Sequence, residues 1–136
     1  MRALADDPYF LALIIDLNTK HQLFEQGIDS DGNALRSAIT GADGYSQFSV
    51  ALKRAAGLPF DHFTLYEDGD FYRSWRVMLD ANADLIIDAN TQKPDQDLAD
   101  TFGPKIIGLT DESLTKLEEY ALEQVVPIII DILTAA

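Results

Sequence analysis

The chain reads as a single α+β domain over residues 1–136, with a long helix at each end and a small antiparallel sheet between them. Three observations point there. Apolar residues recur every three or four positions over residues 8–26 and again from 110 onward, the spacing that puts them on one face of a helix. The stretch from 60 to 89 is dense in aromatic and β-branched residues broken by turn formers. Its 136 residues, 47% of them hydrophobic, suit one domain with a core of its own.

The first helix is punctuated at both ends. Asp6 or Asp7 serves as N-cap, Pro8 sits in the first turn where its missing N–H does no harm, and Gly27 follows the last turn. Phe10, Leu13, Ile14, Leu17, His21 and Phe24 share its apolar stripe, which makes His21 a core histidine rather than a ligand. A Gly-rich connection, "ITGADGYS", leads to a short helix over about 46–56 that ends at Gly57, with Phe48, Ala51, Leu52 and Ala55 inward and Lys53 and Arg54 outward. The segments "FDHFTLYED", "FYRSWRVML" and "ADLIIDA" follow as strands, and "DANAD" joins the last two as a hairpin connection. Trp75 falls in this part, in the core or at an interface, with the core favoured. "TQKPDQDLADTFG" is an acidic loop with a short helical piece stopped by Gly103 and Pro104.

The last helix opens at Thr110, an N-cap with acidic residues in the first turn where the helix dipole favours negative charge. Leu114, Leu117, Ala121, Val125, Ile128 and Ile132 form one apolar face. Leu122, Val126, Ile129, Ile130 and Leu133 widen it until the final turns are apolar nearly all round, and Pro127 should kink the helix there. A small monomer has trouble covering such an end. Val125, Val126, Ile128, Ile129, Ile130, Ile132 and Leu133 are therefore expected at an interface with a neighbouring subunit.

Composition narrows the function classes. The absence of cysteine removes disulfides, thiolate nucleophiles and cysteine-ligated metals, and fits an intracellular origin. Ten basic against 23 acidic residues give a formal charge of −13, so a direct grip on a phosphate backbone is not expected. Acidity concentrates late: residues 88–131 hold ten acidic and three basic residues. "MRALADDPYFLALIIDL" reads as a helix and not a signal peptide, because Asp6, Asp7 and Pro8 precede the apolar run and Asp16 interrupts it. "VVPIIIDIL" is about half of the roughly 20 residues needed to span a bilayer.

Chemistry-bearing patterns are sparse. The chain lacks a Gly-x-Ser-x-Gly elbow, and its two histidines, His21 and His62, lie 41 positions apart. Neither His-x-x-x-His nor Glu-x-x-His occurs, and "GADGYS" lacks the Lys and the strand-to-helix context of a phosphate loop. No catalytic residue, metal or cofactor is expected. "GIDSDGNAL" places Asp29, Asp31 and Asn33 at alternate positions as a calcium loop does, but the required Gly is Ala34 and the bidentate Glu is Thr40. Those residues read as turn chemistry after a helix stop.

The order of several short motifs carries more. Gly27, Asp29 and Gly32 fit G-x-D-x-x-G; Tyr45, Ser46 and Lys53 fit Y-S-x-x-T-x-x-x-K, with Ser49 in place of Thr. Thr64, Leu65, Gly69 and Ser74 fit T-L-x-x-T-G-x-x-x-x-S, with Asp68 in place of Thr, and Gly108, Leu109, Thr110 and Glu112 fit G-L-[ST]-x-E. In this order, from Leu23 to Leu109, the chain resembles the neck or tail-completion proteins of tailed bacteriophages, also described as virion morphogenesis or minor tail proteins.

The resemblance implies a non-enzymatic structural protein of the virion, made in the host bacterial cytoplasm. Its partners would be further copies of itself in a homo-oligomeric ring and the connector or tail proteins above and below, with no membrane. DNA would pass through the lumen of such a head-tail connector without sequence-specific contact, and an acidic wall would repel its phosphates. Arg36, Lys53, Arg54, Arg73 and Arg76 would then face a neighbour's carboxylates, with Arg73 and Arg76 placed at the interface. The alternative reading is a small acidic inhibitor that imitates nucleic-acid charge and blocks a basic partner protein.

Overall fold

The computed structural model describes residues 7–135 apart from Ile39, Asp43, Glu67, Asp68 and Ala83, and of Leu79 the backbone alone. Asp6, one of the two expected caps, and Asp68, the departure from the phage pattern, lie outside the described residues. The architecture is α+β. Helix α1 (Pro8–Asp16) continues without a break into a π-helical segment (Leu17–Gln26). Then come α2 (Gln47–Ala55), α3 (Asp70–Arg73), β1 (Arg76–Leu79), β2 (Leu85–Asp88), α4 (Leu98–Phe102), a 3₁₀ turn (Pro104–Ile106) and α5 (Asp111–Thr134).

The N-terminal helix begins as expected, with the Asp7 side chain accepting from Tyr9 N–H and Pro8 in the first turn. Gly27, at φ 64°, ends it in the left-handed conformation. The expected stripe holds only for the first half, where Phe10, Ile14 and Leu17 are buried. Each π turn takes roughly one residue more than an α turn, so over ten residues the buried face shifts by roughly half a turn. Asn18, Thr19, Gln22 and Leu23 become the buried residues instead. His21 is consequently not a core histidine. It stands half-buried at the surface, with Nδ1 3.4 Å from Glu25 and Nε2 3.3 Å from Glu112.

The sheet is smaller than expected. Two strands pair antiparallel with Arg76 opposite Asp88 and Leu79 opposite Leu85. The hairpin expected at "DANAD" is present: Asp80 N–H donates to the Asp84 carbonyl, and the Asp80 carboxylate accepts from Asn82 and Asp84 N–H. No strand forms among the described residues of 60–68, and "DFYR" is the short helix α3 rather than part of a strand. The reason is the tertiary demand of Phe71 and Trp75. Both enter the core with ring centroids 5.6 Å apart, whereas four residues of a strand, although on one face, would set them roughly 13 Å apart; the turn of α3 and the Ser74 that follows it bring them together.

The core gathers Leu23, Leu35, Phe63, Phe71, Trp75, Leu98 and Ile106. Leu65 lies there too, at φ 59°, a conformation that costs a residue with a side chain about 1–2 kcal/mol. The surroundings impose it. Thr64 N–H donates to Tyr45 Oη at 2.9 Å, and the Tyr72 hydroxyl donates to the Thr64 carbonyl, so the residue before Leu65 is clamped on both sides. Burial holds the Tyr72 phenol in its neutral, donating form by raising its pKa.

Candidate functional site

The candidate surface is built outward from an amide clamp. Asn18 is fully buried; its Nδ2 donates to the Ile106 carbonyl at 2.9 Å and its Oδ1 accepts from Gly108 N–H at 2.7 Å. One turn on, Gln22 Nε2 donates to the Gly108 carbonyl at 2.8 Å and Oε1 accepts from Thr110 N–H at 2.9 Å. The backbone around Gly108 and Leu109 is thereby docked, and the next residue starts α5. Thr110 caps it by accepting from Ser113 N–H at 3.1 Å. Asn18 and Gln22 were missed as positioning residues, because two amides four apart in a segment that also carries Thr19, Lys20, His21, Glu25 and Gln26 do not stand out as buried.

The first half of α5 is tied to α1. The rings of Phe10 and Tyr120 stack at 6.1 Å, Tyr120 Oη donates to Asp7 at 3.0 Å, and Glu112 lies between His21 and Lys116. Those two partners hold the Glu112 carboxyl below the usual glutamate value, His21 first. Across the sheet, the Arg76 guanidinium does the same for Asp88. Carboxylates with lowered folded-state pKa values contribute stability above their unfolded values and lose it as pH falls through the folded ones. Thermal melts should therefore drop as pH is taken from 7 to below about 4; a melting temperature unchanged over that interval would show these pairs to be inert.

Beyond this anchor the helix is on its own. Every residue from Leu122 to Ala135 is exposed. Leu122, Val125, Val126, Ile128, Ile129, Ile130, Ile132 and Leu133 are between 37% and 72% exposed. Exposed aliphatic side chains crowded together in this way are unusual on the surface of a monomer. α5 runs through Pro127 as one element, although proline cannot donate to the Glu123 carbonyl. The seven aliphatic residues expected at an interface thus lie together on one projecting rod.

A second apolar face appears where a buried one was expected. Helix α2 turns Ser49, Val50 and Lys53 toward the protein and leaves Phe48 74% and Leu52 56% exposed, with Ala51 and Ala55 beside them. The inward assignment of these four residues is corrected by what lies beneath. Lys53 Nζ sits 4.4 Å from the Tyr45 ring centroid, and Ser49 and Lys53 border a groove of about 260 Å³ floored by Tyr45, Phe63 and Phe102. A moment of amphipathicity reports that a helix has two faces, not which one the body takes.

The residues of the phage pattern take definite places. Asp29 Oδ1 accepts from Asp31 and Asn33 N–H at 2.9 and 3.0 Å, so its carboxylate is used by the turn, and Gly32 adopts φ 81° there. Tyr45, Lys53, Thr64 and Leu65 come together at the groove. Gly69 caps α3 at φ 84°, and Ser74 accepts from Asn90 N–H at 2.9 Å, joining α3 to the end of β2. Arg73 and Arg76, expected to face a neighbour, form ion pairs within the chain with Asp70 and Asp88. A neighbour's carboxylate would have to compete for them.

Among the described residues, no group of three His, Cys, Asp or Glu side chains is arranged to hold a metal ion. None of the described helices is long and apolar enough to cross a membrane. Comparison with protein-family models, with characterised proteins and with solved structures finds no match.

Proposed function

We propose that the chain is a non-enzymatic structural protein of a phage virion, which assembles as a homo-oligomeric ring in the neck, head-tail connector or tail-completion region. The observation that carries this reading is the projecting half of α5. An amide clamp, a stacked aromatic pair and a cap hold the first half in place, and the second half offers aliphatic side chains that stand exposed among the described residues. Such a surface is made for another protein. The ordered run of motifs from Gly27 to Glu112 adds the phage resemblance, and the charge of −13 suits a wall along which DNA slides without adhering.

The test is placement in an assembled virion. Cryo-electron microscopy of intact particles is expected to find this chain repeated around the axis between head and tail, with acidic side chains lining the lumen. Particles that lack the chain would remove the virion reading, and acidic residues confined to the outside of the ring would remove the sliding wall. A monomer that binds a basic protein with steep salt dependence would favour the charge-mimicking inhibitor instead.

A further inference from the structure

We infer that the apolar half of α5 in one copy docks on the exposed face of α2 in the next copy, head to tail. The inference rests on the homo-oligomer reading above and names its two surfaces. Each chain carries two unpartnered apolar faces on separate elements: the α5 rod from Leu122 to Leu133, and Phe48, Ala51, Leu52 and Ala55 on α2.

Charge decides how they combine. After Lys116 the chain contains no basic residue, so the rod carries Glu123 and Asp131 and no cation, and the turns just before it add Glu118 and Glu119. Pairing two rods about a two-fold axis would set these carboxylates against copies of themselves with no cation between them. The α2 region is the opposite: residues 45–60 contain no acidic residue, and Arg54, exposed, together with Lys53 on the inner side, closes the last turn of the helix. Both cations rest on aromatic rings, Lys53 on Tyr45 and Arg54 on Phe60, and among the described residues neither has a carboxylate partner. Rod against α2 therefore joins apolar to apolar and acid to base in one contact, whereas rod against rod satisfies only the first. A contact between two different patches of the same chain is heterologous, the type that builds a ring when its rotation closes and an open filament when it does not.

The test uses two full-length variants whose changes fall at exposed positions, Leu52→Asp on α2 and Ile132→Asp on the rod, with circular dichroism to verify that each folds. Sedimentation velocity is run on the wild type, each variant alone, and their equimolar mixture. Head-to-tail docking predicts that each variant alone associates about tenfold or more weakly than wild type. It also predicts that the mixture forms a one-to-one dimer, because one variant keeps an intact rod and the other an intact α2 face. If Leu52→Asp alone assembles like wild type while Ile132→Asp does not, rods pair with rods and the inference fails with the homo-oligomer intact. A wild type that stays monomeric overturns the docking, and the ring reading is then decided by the virion.

Discussion

Replacing Asn18 with leucine is expected to cost about 3–4 kcal/mol of folding stability, a large part of the roughly 5–15 kcal/mol that holds a domain together. The side chain is fully buried, with its amide nitrogen and its amide oxygen each hydrogen-bonded to the backbone. Leucine has a similar shape and would keep the space filled, so the loss is almost purely polar. The Ile106 carbonyl would lose its donor and the Gly108 N–H its acceptor, each left away from water at about 1–3 kcal/mol. The damage should also reach α5, since Gly108 is held from the other side by Gln22 and the N-cap of α5, Thr110, lies two residues later. Urea denaturation measures the total, with exposed Glu119→Gln as a control that should stay within about 0.5 kcal/mol. A cost below 1 kcal/mol for Asn18→Leu would mean that the clamp is not a determinant of the fold.

Gly27→Ala is the second large effect, at about 3 kcal/mol, and Gly32→Ala is its natural comparison at about 1 kcal/mol. Both glycines have positive φ, 64° and 81°, so both substitutions bear the left-handed penalty. Only Gly27 faces an obstacle. A Cβ there would come 2.6–2.8 Å from His62 Cδ2, Cβ and Cγ, whereas nothing lies within 4 Å of one on Gly32. His62 cannot yield cheaply, because its Nε2–H donates to the Phe24 carbonyl at 2.6 Å and its Nδ1 meets Asp61 at 2.7 Å. Thermal or urea unfolding of the two variants side by side separates backbone strain from collision; equal losses would remove the collision with His62 from the account.

Much of this fold was legible in the residues and some was not, for identifiable reasons. Caps and stops were read correctly at Asp7, Gly27, Thr110 and Gly103, because they depend on local hydrogen bonding and backbone freedom. The α+β class followed from period, and the hairpin around Asp80 from its turn residues. What failed depended on partners distant in sequence. Phe71, in α3, and Trp75, two residues past its end, meet in the core at a spacing that a strand would not give. The π-helical segment moved His21 and Phe24 off the apolar face, a change of turn that no side-chain spacing announces. The rod of α5 was legible as a surplus of aliphatic residues, while the second face on α2 was not, since amphipathicity alone leaves the direction of burial open.

The single tryptophan has a use that follows from where it sits. Trp75 is 6% exposed, packed on Phe71, and its indole N–H is buried with no hydrogen-bond partner among the described residues. An indole in dry, apolar surroundings emits at short wavelength and shifts to the red when water reaches it. Its emission colour therefore reports the integrity of the core alone, because the aliphatic rod and α2 contribute no tryptophan. A variant that ceases to associate but keeps blue emission has lost a contact, and one whose emission reddens has lost its fold; the chain carries its own optical label for telling the two apart.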